Sequence, residues 1–189
     1  MILSAKKVLE LNEKYQLVEG LSERELNNPE GVEVELRVGE IYALTSEGYL
    51  GVENRKSPDI EKVADIKEDK EYIVQPGEYV LVKTIEIIHS PAEKVEVEPG
   101  RSHYLMPTIY PRSTLQRCGV LLRSTTTNPG YKGELTFGLV NLNKFPFRLE
   151  LGTRICKLVF AEVVGELART YSGQWAGGRV STKTEEKQN

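Results

Sequence analysis

Between Val32 and Val164 the chain repeats one arrangement: a short run of apolar or β-branched residues, then a turn signal. Val32, Val34, Leu36 and Val38 alternate with Glu33, Glu35 and Arg37 before Gly39 breaks the run, the period of a half-buried strand. Runs of strand composition follow over 72–74, 79–88, 104–109, 135–140, 147–151 and 155–164. Between them stand Gln75-Pro76-Gly77, Ser90-Pro91, Glu98-Pro99-Gly100, Asn128-Pro129-Gly130, Asn143-Lys144 and Gly152-Thr153. Many short strands at this spacing predict an all-β fold, a sandwich or a barrel.

Other signals are fewer. Ser4 ahead of Ala5 to Leu11 predicts one capped amphipathic helix with Val8 and Leu11 inward. The charged, poorly periodic stretch 46–70 is expected to be a surface loop or insertion. Residues 171–182 form a Gly-rich arm, and the polar run 183–189 is expected to be a disordered end. With 189 residues, the chain is expected to be one domain over 1–182, arm included.

Composition narrows the function. The net charge of −3 provides no broad field for nucleic acid or an anionic membrane, so an anionic ligand must be held locally. No long apolar stretch or secretory signal is present, and a cytoplasmic location is expected. Two cysteines and two histidines are too few for a disulfide scaffold or a structural zinc cluster.

Two segments could carry chemistry. Arg112-Ser113-Thr114-Leu115-Gln116-Arg117 follows a strand and sets two guanidinium groups and two hydroxyls at a helix start capped by Ser113, a place for phosphate oxygens. Read on its own, it is more readily a capped turn with solvated arginines. Asn128-Pro129-Gly130-Tyr131-Lys132-Gly133 is a tight turn opening a hairpin, with Tyr131 placed to stack and Asn128 offering a donor and an acceptor. In the arm, Gly177-Gly178-Arg179 with Ser181 and Thr182 could wrap a polyphosphate, or simply be flexible.

Taken in order, these segments resemble the trimeric dUTPase and dCTP deaminase superfamily, in its deaminase-like dUTPase branch. Val34-Glu35-Leu36-Arg37-Val38-Gly39 is similar to the first motif, Arg112 to Arg117 to the phosphate-binding Arg-Ser-Ser-Leu-x-Arg, and Asn128 to Gly133 to Asp-Pro-Gly-Phe/Tyr-x-Gly. Gly152 to Phe160 resembles Gly-x-Arg-Ile-x-Gln-Leu-x-Phe, and Tyr171-Ser172-Gly173-Gln174 the closing Tyr-Gln-Gly-Gln. The resemblance implies a jelly-roll-like β-barrel, a homotrimer with sites at subunit boundaries, and a deoxynucleoside triphosphate carried with Mg²⁺. It implies nucleotide binding by Arg112, Ser113, Thr114, Arg117, Tyr131, Lys157, Tyr171, Gln174, Gly178 and Arg179.

The departures matter as much. The glutamate with which the deaminase branch moves protons is Gly138 here, so dCTP deamination is expected to fail. The hairpin aspartate that orients the attacking water in dUTPases is Asn128, which can hold a water but cannot take its proton. Glu35, in place of the first-motif aspartate, is the expected alternative carboxylate, or a contact to Mg²⁺ through water. Three functions are consistent with this: a dUTP diphosphatase, a dCTP deaminase, or a nucleotide-binding protein without turnover.

Overall fold

The computed structural model describes residues 1–188. In chain order the elements are α1 (Ala5–Tyr15), β1 (Val18–Glu19), α2 (Glu23–Asn27), β2 (Val34–Leu44), β3 (Tyr49–Leu50), β4 (Asn54–Lys56), β5 (Ile60–Asp65), β6 (Glu71–Val74), β7 (Tyr79–His89), β8 (Val95–Glu98) and β9 (Arg101–Pro111). They continue with α3 (Ser113–Arg117), β10 (Val120–Arg123), β11 (Lys132–Asn141), β12 (Phe147–Glu150), β13 (Arg154–Val163) and β14 (Glu186–Lys187).

The main sheet runs β10-β11-β7-β2-β13-β9-β8, with β1 on β7 and β5 on β2. All its ladders are antiparallel, and the sheet curls into a half-barrel. The curl is built into β2. Its first residues pair with β13, Glu35 opposite Lys157, and its later ones with β7, Ile41 opposite Val82. The register shifts between Val38 and Glu40, where Gly39 lets the Ile85 side chain approach a backbone that carries no Cβ. Gly39 therefore redirects the strand rather than ending it, and β2 runs on to Leu44. Val34, Leu36, Val38 and Ile41 are fully buried with Val80, Val82, Phe137, Leu139, Ile155, Leu158 and Phe160.

The N-terminal helix forms as its sequence dictates: the Ser4 hydroxyl accepts from the Lys7 amide, and Ala5, Val8 and Leu11 are buried. The charged stretch 46–70 is not a loop. It supplies β3, β4 and β5, and β5 lies along β2 with Ala64 opposite Ile41. The tail also differs from expectation: Glu186 and Lys187 pair with Arg55 and Asn54, because β4 offers a free edge; Asn189 lies outside the described residues. No helix among the described residues is long and apolar enough to cross a membrane.

Candidate functional site

The turn 128–131 closes on itself, the Tyr131 amide donating to the Asn128 carbonyl at 3.1 Å. Tyr131 is buried, its hydroxyl donates to the Glu134 carbonyl at 2.6 Å, and burial holds its phenol above the ordinary range. The arm returns over this hairpin. The Tyr171 amide donates to the Pro129 carbonyl and the Gly177 amide to that of Lys132. The rings of Tyr131 and Tyr171 meet edge to face at 5.6 Å.

Two cavities result, sharing Asn128, Tyr171 and Trp175. One, of about 480 Å³, is walled by Thr125 to Asn128, Tyr131, Glu134, Thr136 and Arg179. The other, of about 430 Å³, lies on the far side of Tyr171, between Arg169 and Gln174 of the arm and Arg55 of β4. In the first, Glu134 is the one carboxylate on the wall among the described residues. Lys83 sits 3.2 Å from it and also faces Glu40 at 3.6 Å. Gly178 lies against this carboxylate at φ +71°, and a side chain there would run into it. The arm can cross Glu134 only as glycine.

The α3 residues stand apart. Arg112, Ser113, Thr114 and Arg117 line neither cavity. Ser113 is not the cap of α3. That position is Arg112, which makes no capping bond with its side chain, and Ser113 is the first helical residue. Arg117 is exposed, with no ion pair among the described residues.

Glu35 corrects another expectation. Its carboxylate is almost buried, and Arg24 (3.2 Å), Arg112 (3.0 Å) and Arg154 all converge on it. Its backbone amide donates to the buried Glu25 carboxylate, which Arg24 also holds. With both oxygens engaged, Glu35 is neither a free base nor a seat for a hydrated metal ion; it anchors Arg112. Lys157 is tied to Glu33, and Arg179 reaches the Ser181 carbonyl at 2.9 Å and Glu186 at 2.6 Å. The sequence reading missed Arg55, Glu134, Arg169 and Trp175. Glu134, an acidic residue just after the hairpin, was the most legible of them.

A family model described as dCTP deaminase-like matches residues 2–163. The chain belongs to this family. A dUMP-forming dCTP deaminase of Aquifex aeolicus is 32% identical over 180 residues, 94% of this chain and 90% of that protein. A probable deoxyuridine 5′-triphosphate nucleotidohydrolase of Aeropyrum pernix is 35% identical over 147 residues, 76% and 82%. Among solved structures, the 2′-deoxycytidine 5′-triphosphate deaminase of Agrobacterium tumefaciens superposes with a TM-score of 0.61 at 14% identity. That match covers 84% of this chain, which spans about half of the Agrobacterium protein, at 47%, and shows the fold alone.

Within this dCTP deaminase-like chain, β11 presents Glu134, Thr136 and Gly138 on one face by strand alternation. Tyr79 of β7 fills the space into which a Cβ on Gly138 would project. No group of three or more His, Cys, Asp or Glu side chains among the described residues could hold a metal ion.

Proposed function

We propose that the protein is a dUTP diphosphatase, converting dUTP and water to dUMP and pyrophosphate. One observation carries this over deamination: position 138 is a glycine overlaid by Tyr79, beside a hairpin cavity that keeps Tyr131, Asn128 and a carboxylate. Tyr131 and Tyr171 frame the nucleoside and Asn128 aligns the attacking water. The water oxygen bonds to the α-phosphorus, its proton passes to the Glu134 carboxylate, and pyrophosphate leaves with the electrons of the broken P–O bond.

The α3 cluster of Arg112, Ser113, Thr114 and Arg117 lies outside the cavity of its own chain, so it would serve the site of a neighbour in a homotrimer. Glu35 is closed by three arginines, so Mg²⁺ would come to the site on the triphosphate rather than through Glu35. A second reading, nucleotide binding without turnover, is favoured by the amide of Asn128. Incubation with dUTP and dCTP, with and without Mg²⁺, separates these functions. Pyrophosphate from dUTP is the expected product. Ammonia from dCTP, or tight dUTP binding with neither product, would overturn the diphosphatase reading.

A further inference from the structure

The cavity of about 430 Å³ has two arginines on its wall, Arg55 and Arg169, and no carboxylate among the described residues lining it. Such a local positive excess is unusual in a chain of net charge −3, where most arginines found here are already paired. The Arg55 guanidinium gives one N–H to the Gln174 side-chain oxygen. Its Nε and the Gln174 Nε2 are both buried with no hydrogen-bond partner, two of only four such side-chain atoms among the described residues. Unpaired buried donors are costly and mark a place where a partner is missing.

Both orphaned atoms are donors, and they belong to side chains bonded to each other on the wall of this cavity, so what each lacks is an acceptor. A phosphate oxyanion fits; a cation or an apolar group does not. Arg55 is also held ready. The hydroxyl of Ser57, one residue beyond β4, accepts from the Thr182 amide at 2.6 Å, and the Thr182 hydroxyl accepts from the Ser57 amide at 3.0 Å. These reciprocal bonds fix the 46–70 insertion to the arm that carries Gln174.

We infer that Arg55 and Gln174 form a seat for the phosphate chain of the nucleotide, with Arg55 a binding residue that the insertion contributes from within the same chain. The identity of the ligand rests on the diphosphatase reading; the anion seat itself does not. Calorimetry on the full chain, wild type and Arg55→Ala, with inorganic tripolyphosphate, the non-hydrolysable α,β-imido analogue of dUTP, and dUMP is the test. Arg55→Ala should weaken tripolyphosphate and the analogue by about 10- to 100-fold and dUMP by less than about 3-fold. If the alanine variant does not fold, Arg55→Gln, which removes the charge but keeps a polar stem, should show the same selective loss.

Wild-type affinity for the analogue in a folded variant would overturn the inference, as would an equal loss for dUMP, which would make Arg55 a prop for the arm. Wild-type protein that binds tripolyphosphate through Arg55 yet releases no pyrophosphate from dUTP would remove the diphosphatase reading and leave the seat. Turnover of dUTP with an unchanged KM in Arg55→Ala would remove the seat and leave the diphosphatase.

Discussion

The hydroxyl of Tyr79 occupies the space in which a side chain on Gly138 would begin. Tyr79 is 43% exposed, so its ring can swing away at modest cost. Gly138→Ala should therefore fold and lose about 0.5–1.5 kcal/mol, and most of that loss should vanish in the Gly138→Ala, Tyr79→Ala double variant. Urea denaturation of the four proteins in the cycle measures the coupling. Additive losses would mean that Tyr79 is not what position 138 is fitted to.

Turnover should depend on Glu134 and be improvable at Asn128. Glu134→Gln should lower kcat for dUTP by about 10²–10⁴-fold, while the imido analogue still binds. Asn128→Asp restores a carboxylate with little change in shape and should raise kcat by about 10²-fold, without ammonia release from dCTP. A full rate in Glu134→Gln would place the base elsewhere.

Arg112 and Arg117, alike in the sequence motif, should behave differently. Arg117 is exposed and makes no ion pair among the described residues, so Arg117→Ala should weaken triphosphate binding about 10- to 100-fold and leave the urea midpoint unchanged. Arg112 shares Glu35 with Arg24 and Arg154. Glu35→Gln should cost about 1–3 kcal/mol of stability, discounted for arginines that remain 29 to 38% exposed. It should also weaken the triphosphate, because Arg112 loses its anchor.

The carboxylates around Lys62 should contribute to the acid sensitivity of the fold. Burial works against ionisation of Glu40, but bonds from Lys62 and Tyr42 and the charge of Lys83 outweigh it and hold the carboxyl below the ordinary range. A carboxyl lowered in the folded state contributes stability above its unfolded pKa of about 4.3, and that stability is lost as pH falls through the folded value. Lys62→Met should therefore flatten the fall of the urea midpoint below about pH 4.5. An unaltered slope would assign the acid sensitivity to other groups.

Legibility in the sequence followed the range of the interactions involved. The capped helix at Ser4 and the strands at β7, β11 and β13 announce themselves through caps, alternation and turn residues, all within a few positions. The insertion did not, because β3 and β4 are only two and three residues long, and the second partner of β4, the strand β14, lies more than a hundred positions away, as Gln174 does from Arg55. Helix α2 escaped for a related reason: five residues behind the Ser22 cap, with Leu26 alone apolar, show no apolar period, and the helix is fixed by the buried Glu25 carboxylate, which accepts from the Glu35 amide. At the site, the motif positions were readable. That Glu35 would be saturated by three arginines, and that Glu134 would stand on the cavity wall, depends on side chains meeting across strands.

The paired Ser57 and Thr182 bonds join two segments that are otherwise remote, one an internal insertion and the other near the chain end. The insertion is held to the main sheet through β5 and the arm to the hairpin through Tyr171 and Gly177, and the Ser57 and Thr182 bonds tie their outer parts to each other. Their amides should then exchange with solvent at one common rate, as a single cooperative unit of low local stability. The hairpin 49–56 would thus lift whenever the arm does, and each opening would expose Arg55 along with the cavity it lines.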